Sequence, residues 1–315
     1  MKILVVGGAG YLGGALTEVI HEYVHQDNVT VYDNLLYTDM YIKDLNFVYG
    51  DIRDRANLAV EIEKNDIIIW LAAIVGDGAC QLNPELTIAT NEESIKWFSE
   101  NYPNKRIIFM STCSVYGAQH DILTEESNTN PLSLYAATKL KAESYLKNCN
   151  ALIFRLGTLF GTNDHFDRIR FDLVINVLTL KACTDKKITV FGGDQYRPVV
   201  HVLDIANTIG ANLYCNNIGI YNIAHINVRV SDLAELIKVN FPNCEIIKSN
   251  ISFEDARNYK VSWTKALKEL RVYNSSNISF GINQLKALIE SNRIKNLKNS
   301  QFSNVEYLKE VLCQK

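Results

Sequence analysis

The apolar positions fall into short runs at 2–6, 29–32, 46–49, 66–71, 106–111 and 151–156. Apolar, β-branched runs of this length, bounded by polar residues, predict strands buried on both faces. The intervening stretches 13–25, 55–63, 84–100 and 134–148 read as helices. Strand alternating with helix predicts a parallel sheet covered on both sides, joined by right-handed crossovers. Such a sheet holds its ligand at the carboxyl ends of the strands. Asp33, Asp51, Leu71-Ala72-Ala73 and Ser111-Thr112 all fall at such ends. Beyond residue 157 the rhythm changes: a helix is expected over Phe171–Leu178, a strand over Ile188–Phe191, and further helices over Asp204–Leu213 and from Ser231 onward.

The first run opens into Gly7-Gly8-Ala9-Gly10-Tyr11-Leu12-Gly13. Here Gly7 suits a tight turn, Gly10 a close approach to a pyrophosphate, and Gly13 helix–strand packing. The next helix points its amino end at the phosphates. Asp33 ends the second strand twenty residues after Gly13, the offset of an acid that binds an adenosine ribose. A carboxylate there accepts from a 2′-hydroxyl and repels a 2′-phosphate, and the turn has no Arg or Lys, so NAD is favoured over NADP. Asp51 stands after the third run, placed to accept from the adenine amino group. The fold class is therefore α/β: a doubly wound parallel sheet of Rossmann type over 1–156 that binds NAD. Residues 157–315 form mainly a smaller substrate domain, with some segments returning to the large one.

Tyr135 and Lys139 stand four apart among helix formers. That spacing puts both on one helical face. An ammonium beside a phenol is expected to lower the phenol's pKa toward that of a general base. A hydroxyl from the end of the run Ile107–Ser111 and beyond, beside Tyr135, suits the orientation of a sugar hydroxyl. Arg197 suits a diphosphate, since a guanidinium offers it a bidentate partner. Arg168 and Arg170 are weaker candidates for the same job, with pairing to Asp167 or Asp172 equally open. Asn176 either touches the nucleotide or is an ordinary helix asparagine, and His201 is expected to order a strand–helix junction.

Composition narrows the field. The chain has 315 residues, 47% hydrophobic, with a formal net charge of -3, which argues against a nucleic-acid or anionic-membrane surface. The patch Lys286, Arg293, Lys295 and Lys298 is short and mixed with Glu290, as a solvated helix face would be. Seven scattered cysteines without a C-x-x-C pair suit reduced thiols in a cytoplasm. The six histidines lack metal-ligand spacing. No eighteen-residue apolar run or signal segment is visible.

Taken in order, these motifs resemble the extended short-chain dehydrogenase/reductases, and within them the nucleotide-sugar epimerase/dehydratase family. The matches are Gly7-x-x-Gly10-x-x-Gly13, Asp33-Asn34, Gly50-Asp51-Ile52-Arg53, Leu71-Ala72-Ala73, Ser111-Thr112-x-x-Val115-Tyr116-Gly117, Tyr135-x-x-x-Lys139 and Arg197-Pro198-Val199-Val200-His201-Val202-x-Asp204. The resemblance implies a tightly bound NAD+/NADH contacted by Gly7, Gly10, Tyr11, Leu12, Gly13, Asp33, Asn34, Asp51, Ile52, Leu71, Ala72, Ala73, Asn91, Tyr135 and Lys139. It implies Thr112 as catalytic hydroxyl, Tyr135 as base and Lys139 as its helper. It also implies a nucleoside-diphosphate sugar touching Thr112, Cys113, Ser114, Thr158, Arg168, Arg170, Asn176 and Arg197, and a homodimer through helices near 84–100 and 134–148.

The members of that family share oxidation at sugar C4 and differ in the fate of the ketone. The 4,6-dehydratases place Asp-Glu after the threonine to protonate the leaving hydroxyl and remove the C5 proton; here Cys113 and Ser114 stand there, which disfavours dehydration. A 4-dehydrogenase and a 4-epimerase both remain. Thr158 stands where the epimerases have Asn. The segments 71–77, 155–161 and 170–174 look closer to GDP-heptose-oxidising members of capsule pathways. A non-catalytic dinucleotide sensor is a further class, disfavoured because Tyr135 and Lys139 are both kept.

Overall fold

The computed structural model describes residues 1–163, 168–249 and 258–313. Seven parallel strands form the main sheet, in the order Gly219–Ile223, Ala151–Leu156, Arg106–Thr112, Ile67–Trp70, Ile3–Val6, Val29–Asp33, Asn46–Tyr49. All six expected strands are present. The seventh, Gly219–Ile223, returns from the carboxy-terminal half.

The reason the strands read as unbroken apolar runs is visible in the packing. Successive side chains point to opposite faces. Ile3, Val5, Ile67, Ile69, Ile108 and Met110 meet the helices Tyr11–Val19 and Val202–Ala211 on one side. Leu4, Val6, Ile68, Trp70, Ile107 and Phe109 meet the helices Arg55–Lys64, Ser94–Asn101 and Leu134–Leu146 on the other. Both faces are dry, so neither set of positions tolerates polarity.

The strand order reverses beside Ile3–Val6, with Ile67–Trp70 on one flank and Val29–Asp33 on the other. A crevice at such a point is where doubly wound sheets bind ligands. Gly7 N donates to Tyr32 O at 2.8 Å, and Leu71 N and Ala72 N donate to Val6 O at 2.8 and 2.9 Å. The loops leaving three adjacent strands are thereby tied together at the crevice floor.

Two helices depart from expectation. The stretch 84–100 is helical throughout, but Pro84–Ile88 and Ser94–Asn101 flank one π turn at Ala89–Glu93. π turns are frequent at functional sites, and this one carries Asn91. The helix expected from Phe171 begins at Val174 and runs to Thr184, because Phe171 and Asp172 are held by Phe302 and Asn304 instead.

The carboxy-terminal half packs a second core around Phe160, Ile175, Val199, Leu233 and Ile282. A three-stranded sheet, Ile226–Arg229, Tyr196–His201 and Thr158–Phe160, brings Thr158 and Arg197 toward the crevice. His201 Nδ1 accepts from Leu203 N at 3.2 Å, and its Nε2 lies 2.7 Å from Gln284 Oε1, so it orders the strand–helix junction. Among the described residues no helix is long and apolar enough to cross a membrane.

Candidate active site

One cavity of about 1520 Å³ runs from the glycine turn to the carboxy-terminal half. Pockets for a single small ligand occupy about 300–1,000 Å³, so this one has room for a dinucleotide and a second ligand together.

The turn is shaped by what glycine lacks. Gly7 has φ +85°, and a Cβ there would lie 2.4 Å from Ala72 N. A Cβ on Gly13 would lie 2.5 Å from Gly8 O and 2.6 Å from Gly7 O. Gly13 thus packs the helix on the turn itself, not on the strand. At Gly10 a Cβ would meet only Gly7 O at 3.4 Å, so nothing within the protein demands glycine there. Gly10 also begins the helix Tyr11–Val19 without a side-chain cap, and the first turn carries no acidic residue. Its orphan N–H groups and positive dipole end favour an anion. The cradle fits a dinucleotide pyrophosphate.

Asp33 Oδ2 accepts from Ala9 N at 3.0 Å and Oδ1 from Leu35 N at 2.8 Å. A carboxylate has about four acceptor sites, so two remain for a ribose diol. Asp51 is different. Its oxygens accept from Arg53 N, Nε and Nη2 and from Asn34 Nδ2 at 2.7–3.1 Å. Those four bonds fill it, and Arg53 holds its carboxyl down at about 2. Asp51 thus anchors Asn34 and Arg53 at the cavity wall, where an adenine acceptor is expected. Tyr11, Leu12, Asn34, Asp51, Ile52, Leu71, Ala72 and Ala73 line the cavity. Asn91 does not. It is buried, accepting from Ile74 N at 2.8 Å and donating to Ile74 O at 2.9 Å, so it fixes the backbone just beyond Ala73.

Ser133 Oγ caps the helix Leu134–Leu146 by accepting from Ala136 N at 3.2 Å. Tyr135 and Lys139 on this helix line the cavity with Thr112. Thr112 Oγ1 accepts from Ser114 N at 3.1 Å, which leaves its O–H to donate. Lys139 Nζ donates to Met110 O at 2.9 Å and sits 4.6 Å over the Phe109 ring. The expected depression of the Tyr135 phenol is not found. Burial raises its pKa well above the ordinary phenol range, Cys80 adds to this, and the opposing cation is Arg170. Burial also brings Lys139 down to about 8. Desolvation disfavours both charged forms here and outweighs the pairing expected from the spacing.

On the substrate side Thr158, Arg168, Arg170, Arg197, Thr112 and Ser114 line the cavity. Arg197 Nη1 donates to Tyr196 O at 2.9 Å. Arg170 pairs with Asp172 at 2.9 and 3.0 Å. Arg168 stacks 4.3 Å over Tyr37 and donates from Nε to Gln301 O; Asp167 lies outside the described residues. Two expectations fail. Cys113 is fully buried in a cluster with Val115, Tyr116 and Leu123, its Sγ donating to Arg155 O at 3.2 Å, and burial pushes its thiol far up. Asn176 is fully buried, bonded to Gly161 N and O and to Arg170 O at 2.8–3.2 Å. Neither lines the cavity.

Several residues escape a reading of motifs. Arg155 makes bonds of 2.6–3.2 Å to both oxygens of Glu143, which also accepts from Ser111 Oγ. Through Arg155 and Ser111, Glu143 ties the helix of Tyr135 to the strands Ala151–Leu156 and Arg106–Thr112. Glu143 lies four residues after Lys139, a spacing that signals a shared face; nothing near Arg155 named its partner. Tyr259 reaches the cavity with its OH 3.2 Å from Ser114 Oγ. Asn304, Val305 and Leu308, near the carboxyl terminus, also line it.

A glycine cradle for a pyrophosphate, a ribose acid, a buried Tyr/Lys pair and an arginine-rich far wall define a Rossmann-type dinucleotide enzyme with space for a phosphorylated substrate. The chain belongs to the NAD dependent epimerase/dehydratase family, whose model matches residues 3–224. It is 30% identical over 256 residues to a dTDP-D-glucose 4,6-dehydratase of Dictyostelium discoideum, covering 70% of this chain and 58% of the relative. It is 25% identical to a UDP-glucose 4-epimerase of Corynebacterium glutamicum, covering 72% of this chain and 75% of that one. In fold it matches a UDP-glucuronic acid 4-epimerase of Bacillus cereus, solved with UDP-glucuronic acid and NAD, at TM-score 0.79 and 23% identity over 92% of this chain and 99% of that one.

Proposed function

We propose that the protein oxidises a nucleoside-diphosphate sugar at C4 with NAD and releases the ketone, acting as a 4-dehydrogenase in surface-polysaccharide sugar synthesis. A GDP-heptose is the substrate to which the motif resemblance points. The observation that carries the reading is the convergence of Thr112, Tyr135 and Lys139 on the glycine-cradled cavity, with no carboxyl group at positions 113 and 114.

The dinucleotide supplies the hydride acceptor. Gly7 to Gly13 hold its pyrophosphate and Asp33 its ribose. Thr112 orients the sugar hydroxyl, and Tyr135 takes the hydroxyl proton. Lys139, anchored on Met110 O, holds the nicotinamide ribose and supplies positive charge near the phenolate as it forms. Arg197, with Arg168 and Arg170, holds the sugar's diphosphate. The buried Cys113 thiol lacks both the access and the acidity to assist elimination, which supports oxidation without dehydration. Dimerisation through the helices over 84–101 and 134–146 is part of this proposal.

A 4-epimerase is the second reading, favoured by the Corynebacterium relative of that name. The test is incubation of the protein and NAD+ with a panel of nucleotide sugars, with products weighed by mass spectrometry. Loss of two mass units is expected. An unchanged mass with inverted stereochemistry selects the epimerase, and loss of water overturns the exclusion of dehydration.

A further inference from the structure

We infer that the carboxy-terminal helix Asn304–Cys313 is a retaining wall for the cofactor, so that bound NAD(H) leaves only when this helix undocks; the inference rests on the NAD reading above.

The helix lies beyond residue 224, where the family match ends, yet it closes the cofactor cavity. Leu308 is 1% exposed and shares a cluster with Ile74, Ala79 and Cys80. Tyr37, two residues past the ribose-side Leu35, and Tyr135 both pack on this cluster. A single apolar seam therefore runs from the ribose loop to the proton-transfer helix, and Leu308 completes it. Val305 presses on Gly78 so closely that a Cβ there would lie 3.1 Å from Val305 Cγ2. Val305, Leu308, Val311 and Leu312 face the cavity.

The seam is pinned by polar contacts at its start. Asn304 N donates to Asp172 Oδ2 at 3.0 Å, and Asn304 Nδ2 donates to Val75 O at 2.7 Å. Phe171 N donates to Phe302 O at 2.8 Å, and the two rings lie 5.2 Å apart. Asp172 also holds Arg170, so the wall and the cationic side of the cavity are one unit. Binding that requires a docked helix is reciprocal: the ligand must stabilise docking by the factor that docking adds to its affinity.

Two measurements on the full chain test this. NADH release is followed by stopped-flow fluorescence in the wild type, Leu308→Ala and Asn304→Ala, and amide exchange of 304–313 is followed with and without saturating NAD+. Release about tenfold faster in the variants and exchange about tenfold slower with NAD+ are expected, within the usual range of coupling between sites. Wild-type release rates in both variants overturn the inference, as does exchange in 304–313 that ignores NAD+. The exchange measurement needs no substitution, so a variant that fails to fold does not protect the idea. Calorimetry on protein stripped of bound nucleotide separates the two levels: no NAD+ binding overturns the cofactor reading and this wall together, whereas full binding without slowed exchange overturns the wall alone.

Discussion

The glycine turn Gly7–Gly13 and the wall made by 168–172 with 300–313 face one cavity and are built from opposite materials. The turn is backbone: its shape depends on missing Cβ atoms and on N–H groups left without partners inside the helix. The wall is side chain: Arg168 on Tyr37, Arg170 on Asp172, Asn304 on Val75, Leu308 on Ile74. Backbone sites tolerate few residue types, so they leave a signature in the sequence. Side-chain sites assembled from distant segments admit many solutions. Asn304 and Val75 are 229 residues apart, and no spacing rule reaches that far.

Tyr135 faces the same cavity from the helix Leu134–Leu146, and its loss gives the largest expected effect. Tyr135→Phe should cut NADH formation with the nucleotide sugar by about 10²–10⁴, the usual worth of a positioned acid–base group. Full retention of the rate removes Tyr135 from the chemistry. Next comes the scaffold beneath the Tyr135 helix. Arg155→Met strands Glu143 as a buried charge and should lower unfolding free energy by about 3–5 kcal/mol in urea titrations. A loss no greater than that of Asn304→Ala would show that the two sides are equally rigid.

Lys139 gives a smaller, pH-dependent contrast. Burial lowers its folded pKa from 10.5 to about 8, so between those values the unfolded chain binds more protons than the folded one. Stability then rises with pH across that window, by at most about 1.4 kcal/mol per pH unit from this group, and the destabilisation is complete below pH 8. Lys139→Met should remove that rise when urea midpoints of the two proteins are compared from pH 7.5 to 10. Equal slopes would mean that the ammonium is compensated by more than Met110 O and Glu143.

Legibility obeys the same division. The strands are readable because burial on both faces forces unbroken apolar runs, and Gly7, Gly13 and Asp33 because each position admits few residues. The bonds that tie Asp51 to Arg53 and Asn34 are not legible in its motif, because a turn motif does not specify them. The direction of the Tyr135 shift is misread too: an i, i+4 spacing reports proximity on a helix but not the desolvation that outweighs it. Cys113 and Asn176 carry the right chemistry for a binding wall and face the wrong way. Tyr259 and Leu308 reach the cavity from beyond the family match and leave no local trace.

The finest test compares two glycines of the turn. Gly13→Ala drives a Cβ into Gly7 O and Gly8 O, and carbonyls of a tight turn cannot yield without moving the turn. NAD+ affinity should fall at least about tenfold, together with some stability. Gly10→Ala meets only one atom, at 3.4 Å, and its φ of -85° is open to alanine. Stability should therefore fall by no more than about 1 kcal/mol, the cost of alanine in place of glycine at a helix N-cap. If a pyrophosphate lies against Gly10, calorimetry will still show weaker NAD+ binding, by a few-fold to about tenfold, because the new methyl occupies the approach of the phosphate. A Gly10→Ala protein that binds NAD+ as tightly as the wild type would place the phosphates elsewhere along the turn, and Gly10 would then owe its place to the start of the helix alone.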